Sequence, residues 1–184
     1  MLSKIYEGEC ILRQDLISAA VAVGNLQCVQ HLLSDSREDQ AYVDSKVFGF
    51  ASANAARVGN IALLEMLLQP RLENIPKEEP LSSFKLDSFY AAFLAASRAG
   101  QLQALEYLLS LKNRLYPYYC EIAFQAAAST GQVDIIRIIL HQIDVEKRQI
   151  TLDEALRMAC SHGHIAAAEI LLDSGADLRF NHYG

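Results

Sequence analysis

The sequence predicts an all-α fold, a solenoid of about five helix-turn-helix repeats joined by irregular connecting loops. Three observations predict it. Five glycines recur at intervals of 31 to 41 residues, near the period of about 33 residues that one helix-turn-helix unit occupies. Alanine always stands four residues before the glycine, and two aliphatic residues always stand eight and nine residues after it. We call these five residues the turn glycines: Gly24, Gly59, Gly100, Gly131 and Gly163.

The first helix of each repeat is predicted to end at its turn glycine, from which positions are counted below. Glycine lacks a Cβ atom and can therefore adopt the left-handed cap that ends many helices. The residues at −4 and −3 are small, which lets two helices approach closely. They are Ala20-Val21, Ala55-Ala56, Ala96-Ser97, Ala127-Ala128 and Ala159-Cys160.

The second helix of each repeat carries apolar residues at +2, +5, +8 and +9, the spacing of one helical face. A single helix pair cannot bury this face, so neighbouring repeats must stack to form a core. The residues at +2 and +5 are Leu26 and Val29, Ile61 and Leu64, Leu102 and Leu105, Val133 and Ile136, and Ile165 and Ala168. We expect one domain over residues 1–184, with repeats at roughly 11–46, 47–86, 87–117, 118–149 and 150–181.

The last repeat resembles a known family. Gly163-His164, Leu171-Leu172 and Gly175-Ala176-Asp177 stand in the pattern GHxxxAxxLLxxGAD, which resembles the second half of an ankyrin repeat. The resemblance implies a module that binds other proteins. The family's Thr-Pro-Leu-His opening is absent, so we expect first helices that begin early and connections that are not standard hairpins. Tetratricopeptide repeats, a rival solenoid, are disfavoured because the chain has no tryptophan.

Composition narrows the classes of function. The chain is 52% hydrophobic and 21% charged, with a net charge of −6, which disfavours disorder and non-specific binding to nucleic acid or anionic membranes. It has neither a long apolar run for membrane insertion nor the basic start of a signal peptide. We therefore expect a cytoplasmic monomer whose partner is a protein with some basic surface. The four cysteines are far apart and are expected to be reduced, mostly buried thiols.

Candidate partner-binding residues lie at the variable positions −5, −2 and −1, which are expected to face an inner, concave side. They include Asn54 at −5 and Arg57, Arg98 and Ser129 at −2. Arg57 and Arg98 share an offset in successive repeats, so we expect them about 10 Å apart. They could bind an acidic segment together, or they could be two solvated arginines of little energetic consequence.

The connections between repeats are the second candidate binding region. Tyr116, Tyr118 and Tyr119 are predicted to form a loop that contacts a partner, although these rings could instead cover the core. The longest connection, residues 69–88, contains three prolines, Pro70, Pro76 and Pro80. We expect it to be extended and solvated. It is either a tolerated insertion or a partner contact with Phe84 and Phe89 as anchors.

No catalytic, cofactor-binding or metal-binding residue is predicted, because no phosphate-binding loop, nucleophile elbow or HExxH motif occurs. Cys160, His162 and His164 have zinc-ligand side chains, but their spacing supplies only part of a tetrahedral site. Asp153 and Glu154 are interpreted as carboxylates at a helix start, below a capping Thr151.

The sequence therefore favours a non-enzymatic adaptor that binds a partner protein. Its loosely conforming repeats resemble those of the ankyrin effectors that intracellular bacteria deliver into host cells, which would place the chain in the host cytosol. Two alternatives stay open: the repeat portion of a larger enzyme whose catalytic domain lies beyond residue 184, and a structural or self-associating spacer.

Overall fold

A computed structural model describes residues 15–34, 41–73, 87–111, 118–143 and 148–177. This part of the chain consists of helices and turns, which confirms the predicted all-α fold. Residues 15–22 belong to the first helix, α1. The others are α2 (Leu26–Ser34), α3 (Ala41–Val58), α4 (Ile61–Glu73), α5 (Asp87–Ala99), α6 (Leu102–Ser110), α7 (Tyr118–Thr130), α8 (Val133–Leu140), α9 (Arg148–Ser161) and α10 (Ile165–Asp173).

The chain divides into two compact units, Met1–Ala95 and Ala96–Gly184. In the first unit, α3 packs against both α2 and α4. In the second, the first helices α7 and α9 pack side by side, and α8 packs against α6 on one side and α10 on the other. In the second unit, helices of one kind therefore neighbour each other from repeat to repeat. The predicted repeat boundaries and their union in one domain stay predictions.

Every turn glycine closes its first helix in the same way. All five have positive φ, from 68° at Gly100 to 75° at Gly163. At the first turn, the Gly24 amide donates to the carbonyl of Val21 and the Asn25 amide donates to the carbonyl of Ala20, both at 2.9 Å. The equivalent pair of bonds recurs at the other four turns. This is the Schellman arrangement, which satisfies carbonyls that the helix end would leave unpaired.

The residue after each turn glycine, at +1, is the N-cap of the second helix, which begins at +2. Its carbonyl accepts the first helical bond, as in the bond from the Leu64 amide to the Asn60 carbonyl at 3.1 Å. In the first two repeats its side chain also caps the helix: Asn25 Oδ1 accepts from the Cys28 amide at 3.0 Å and Asn60 Oδ1 from the Leu63 amide at 3.1 Å. An asparagine at the N-cap removes one unpaired amide from the helix start.

In the fourth and fifth repeats the +1 side chain instead reaches the preceding repeat. Gln132 Nε2 donates to the carbonyl of Arg98 at 3.2 Å, and His164 Nε2 bonds to the carbonyl of Ser129 at 3.0 Å. Both acceptors are at −2 of the repeat before, so the two bonds are equivalent. Because a carbonyl can only accept, His164 carries its proton on Nε2 in this bond. We call this contact the inter-repeat bridge.

The inter-repeat bridge explains a second requirement for glycine. A Cβ atom placed on Gly131 would lie 2.7 Å from His164 Nδ1, and one placed on Gly100 would collide with the Gln132 side-chain amide. At Gly163, in contrast, a Cβ atom would meet nothing within 4 Å. Positive φ alone therefore selects glycine at Gly163, whereas positive φ and the close approach of the next repeat both select it at Gly100 and Gly131.

The second helices bury a stripe that differs from the predicted one. Position +5 is fully buried in the first four repeats, as predicted, but +2 is not: Leu26 is 37% exposed and Ile165 is 73% exposed. The residues at +4 take its place, with Leu63, Ala104, Ile135 and Ala167 all buried. The reason is the position of +2 on the helix. Each second helix begins at +2, and this residue lies about 110° around the helix axis from the middle of the buried stripe formed by +4, +5 and +8.

Three further expectations are corrected. Helix α4 continues through Pro70 to Glu73, although the sequence predicts an extended segment from residue 69. Only one backbone hydrogen bond is lost at this proline, while the buried Leu67 and Leu68 hold the preceding turn. The rest of that connection, with Pro76 and Pro80, lies outside the described residues.

The cysteines are also less buried than expected. Cys120 is buried, but Cys28 and Cys160 are exposed free thiols; Cys10 lies outside the described residues. Cys28 stands at +4 of the first repeat and Cys160 at −3 of the fifth. Both positions are buried in the three inner repeats. The prediction of mostly buried thiols is therefore wrong for two of the three that can be placed.

Helix α9 begins at Arg148, so Thr151, Asp153 and Glu154 do not mark a helix start as predicted. Thr151 and Asp153 are buried inside the helix. Asp153 Oδ1 accepts from the Asp177 amide at 2.6 Å and from Gln149 Nε2 at 2.8 Å, while Gln149 Nε2 also donates to the carbonyl of Gly175 at 3.0 Å. Asp153 thus ties the segment after α10 to the beginning of α9.

Gly131→Ala should destabilise the protein more than Gly163→Ala. A left-handed alanine costs about 1–2 kcal/mol at either site, and the collision with His164 should add about 1–3 kcal/mol at Gly131 alone. The free energy of unfolding, measured with urea, checks this. Repeating both substitutions in a His164→Ala background should remove most of the difference. Equal costs in the original background would contradict the close approach.

Candidate partner-binding surface

The last turn of each first helix presents its variable residues to solvent. Every side chain at −2 and −1 is exposed or half-buried, in contrast to the buried alanines at −4. These ten positions, which we call the last-turn surface, are Ala22-Val23, Arg57-Val58, Arg98-Ala99, Ser129-Thr130 and Ser161-His162. Position −5 is mixed: Ala19 is exposed, Ala95 and Met158 are half-buried, and Asn54 and Ala126 are buried. The placement of these residues on a concave face stays a prediction.

Asn54 and Arg57 are joined by a hydrogen bond. The Asn54 side chain is only 8% exposed. Its Nδ2 donates to the carbonyl of Phe50 at 3.2 Å, and its Oδ1 accepts from Arg57 Nη2 at 3.2 Å. The bond to Phe50 fixes the orientation of the amide, so the oxygen points to the guanidinium. Asn54 therefore orients Arg57, which is exposed, and offers little surface of its own to a partner.

At Arg98 and Ser129 the backbone takes part in the contact between repeats, while the side chain is exposed or half-buried. Their carbonyls accept the two inter-repeat bridges from Gln132 and His164. The Arg98 side chain is exposed, and Ser129 is half-buried with its hydroxyl donating to the carbonyl of Ala126 at 2.8 Å. A substitution at either position changes the surface without removing the bridge. The expected separation of Arg57 and Arg98 stays a prediction.

Two of the three predicted loop tyrosines belong to a helix. Tyr118 and Tyr119 open α7, directly after Pro117, a residue that is tolerated at a helix start. Tyr119 is half-buried, and Tyr116 lies outside the described residues. Phe89, a candidate anchor, is fully buried at the start of α5, so it belongs to the core; Phe84 is outside the described residues.

Charge is divided between the two kinds of helix. Among the side chains whose exposure the structure describes, the exposed charged residues of the first helices are Arg57, Arg98 and Arg157, together with Asp15 at the start of the described chain. The second helices expose mainly carboxylates: Glu65, Glu106, Asp134, Glu169 and Asp173, beside Arg137 and His31. The repeat offsets show part of this division: two of the five residues at −2 are arginines, and three of the five at +6 are glutamates.

His162 and His164 do not converge on a metal site. Their rings stack with centroids 6.3 Å apart and an angle of 5° between planes. His162 Nδ1 bonds to the carbonyl of Met158 at 2.9 Å, and His164 Nε2 is engaged in the inter-repeat bridge. Within the described ranges, no group of three or more histidine, cysteine or acidic side chains could hold a metal ion. No helix in these ranges is long and apolar enough to cross a membrane.

The described helices define a helix-turn-helix repeat protein in which the exposed residues of the last-turn surface differ from repeat to repeat. Residues 92–182 match the family model described as ankyrin repeats in three copies. The chain is also 34% identical over 71 residues to a protein of Acanthamoeba polyphaga mimivirus whose name describes it as an ankyrin repeat protein. That match covers 39% of the chain and 14% of the viral protein's length. Residues 92–182 therefore belong to the ankyrin-repeat family, whose members are generally protein-protein interaction modules.

Asn54→Ala should loosen the Arg57 side chain. The substitution removes the acceptor of the Arg57 bond and should also cost about 1 kcal/mol of folding stability. The order parameter of Arg57 Nε, measured by NMR relaxation, should fall. Asn54→Asp loses the bond to Phe50 but retains an oxygen acceptor, now charged, for Arg57, so the order parameter should stay at or above the original. An unchanged order parameter in Asn54→Ala would show that Asn54 does not orient the arginine.

Proposed function

We propose that the chain binds a partner protein through the last-turn surface of its first helices. The observation that carries this proposal is the contrast within each repeat. Positions −4, +4, +5 and +8 are largely buried and restricted to apolar or small residues, whereas −2 and −1 stay accessible and differ from repeat to repeat. Residues that packing does not constrain are available for recognition. Candidate contacts are Arg57, Arg98 and Ser129, and the further candidates retained from the sequence are Tyr116, Tyr118 and Tyr119.

The chemistry of this surface favours an acidic segment of the partner. Charges more than about 10 Å away are screened at physiological ionic strength, so the local arginines matter more to a bound segment than the net charge of −6. Arginine pairs with carboxylates through two parallel hydrogen bonds. Asn54 holds Arg57 in place before binding, which reduces the entropy lost when the carboxylate docks. The arginines therefore favour an acidic partner surface, whereas the net charge alone favours a basic one.

The proposed module has no catalytic step of its own and acts in the cytosol as a monomer. Its narrower form, delivery into a host cell as a bacterial effector, is supported by the divergence of the repeats. The second candidate is that these repeats are the binding portion of a larger enzyme. The fact that favours it is that the chain spans 14% of the length of its viral relative. In that case the last-turn surface would hold a substrate protein or regulator for a catalytic domain elsewhere.

Removing the two arginines should weaken partner binding. Partners captured from a cell lysate identify a binding protein, and calorimetry then compares the wild-type chain with Arg57→Ala/Arg98→Ala. The double variant should bind about tenfold or more weakly, since arginines are frequent hot spots. Wild-type affinity should also fall as salt is raised, because the contact is electrostatic.

The matched control removes two charges of the opposite sign from second helices, in Glu65→Ala/Glu106→Ala. It should retain wild-type affinity within about twofold, as expected of charges outside the contact surface. Loss of binding in this control, with the arginine variant unaffected, would move the site to the second helices. Circular dichroism of both variants shows whether each is folded before affinities are compared.

A further inference from the structure

In the second compact unit, the last-turn surface runs over the ends of three successive first helices, α5, α7 and α9. Its polar side chains, all exposed or half-buried, are Arg98, Ser129, Thr130, Ser161 and His162. The inter-repeat bridges bring these helix ends together, because each bridge bonds one turn to the −2 carbonyl of the repeat before. The His164 ring also stacks on that of His162, with centroids 6.3 Å apart. One extended partner segment can therefore contact all of these side chains.

Three of these side chains are hydroxyls whose proton is already used within their own helix. Ser129 Oγ donates to the carbonyl of Ala126 at 2.8 Å, and Thr130 Oγ1 donates to the same carbonyl at 2.9 Å. Ser161 Oγ donates to the carbonyl of Met158 at 3.0 Å. Because a hydroxyl has a single proton and two lone pairs, each of these oxygens offers a partner lone pairs rather than a proton.

His162 offers a lone pair as well. Its Nδ1 lies 2.9 Å from the Met158 carbonyl, and since a carbonyl can only accept, Nδ1 carries the proton of the neutral ring. Ser161 Oγ, 3.1 Å from Nδ1, accepts a share of the same proton. Nε2 is then left with a lone pair on an exposed ring. The last turns of repeats four and five are therefore hydrogen-bond acceptors, whereas the Arg98 guanidinium can only donate.

Arg157 decides which kind of donor fits beside the fifth repeat. Its side chain is exposed and stands four residues before Ser161, so the two lie on the same face of α9. A partner lysine or arginine beside Ser161 would be repelled by this guanidinium. A carboxylate would be attracted to it, but would set its own lone pairs against those of Thr130 and His162. Uncharged donors avoid both penalties.

We propose that the second unit binds a partner segment in which a carboxylate adjoins uncharged hydrogen-bond donors. The carboxylate pairs with Arg98. Hydroxyl or amide side chains of serine, threonine, asparagine or glutamine donate to Thr130 Oγ1 and His162 Nε2. This inference rests on the proposed function of the last-turn surface and names the chemistry that the partner offers to it. The acidic part of the contact ends at Arg98, and the fourth and fifth repeats select against further carboxylates.

A selection from random peptides displayed on phage tests this chemistry. Peptides of about 12 residues reach about 40 Å when extended, which is enough to cross three neighbouring helix ends. The wild-type chain is the target, and peptides that also bind the Arg98→Ala variant are removed. The recovered peptides should combine an acidic residue with serine, threonine, asparagine or glutamine within about six positions, the extended length that spans two helix spacings.

Substitutions on both sides of the contact then measure the acceptors. Thr130→Val/His162→Phe removes both acceptors and keeps the side-chain shapes. Its affinity for a synthetic copy of a recovered peptide, measured by fluorescence anisotropy, should fall about tenfold or more, as expected for two lost hydrogen bonds. Replacing the donor residues of the peptide by alanine should weaken binding to the wild-type chain by a similar factor, and this arm does not depend on the folding of a variant.

The matched control is Ser110→Ala at the end of the second helix α6. It removes a hydroxyl that makes the same kind of bond, to the carbonyl of Tyr107 at 2.6 Å, and affinity should stay within about twofold of wild type. Recovered peptides that are acidic throughout, or that bind Thr130→Val/His162→Phe as tightly as wild type, would overturn the inference and leave the proposed function standing. A selection that yields no Arg98-dependent peptide would count against the arginine contact itself, and would overturn both.

Discussion

The structure depends on one local constraint, the left-handed glycine that ends each first helix. Positive φ at this residue allows its amide and the next amide to bond back to the helix, and reverses the chain so that the second helix can begin two residues later. The carbonyl of the alanine at −4 accepts the hydrogen bond from the amide at +1, which spans more residues than the bond from the glycine amide. Its side chain is small enough for the neighbouring helix to pack against it. The turn thus fixes the pairing of the two helices within every repeat.

The same turn also links neighbouring repeats. Because glycine has no side chain, the +1 residue of the next repeat can lie against it and bond to the carbonyl at −2, as His164 does over Gly131. At −2 the backbone is therefore structural while the side chain points outwards. This separation lets the surface residues vary without weakening the stack, and it explains how Arg98 and Ser129 can be both part of the interface and candidates for recognition.

The sequence predicts the helical pairs and their turns well, because few other folds require a glycine and small residues at the same fixed offsets in every repeat. It predicts burial less well. Position +2 fits the spacing of the apolar stripe, but the helix begins there and Ile165 is left exposed. The start of α9 at Arg148 and the passage of α4 through Pro70 depend on packing from other helices, which overrides local propensity and cannot be read from neighbouring residues.

The candidate site is predictable in part. The offsets place Arg57 and Arg98 at accessible helix ends, as the structure does. The role of Asn54 could not be foreseen, since it depends on which way a buried amide is held by the carbonyl of Phe50. In the sequence, Pro117 suggests a break in the helix and so favours a loop for the tyrosines. In the structure, α7 begins at Tyr118, directly after this proline, a residue that is tolerated at a helix start.

Native-state hydrogen exchange of the +1 amides would show directly whether the glycine turns hold the repeats together. The amides of Asn60, Gln132 and His164 bond to the alanine carbonyls at 2.9 Å. If the turns organise the stack, these amides should exchange only when a whole repeat opens, as slowly as the amides of the buried second helices. Exchange as fast as that of an unprotected amide would show that the turns open independently, and would contradict their role as the constraint on which the stack depends.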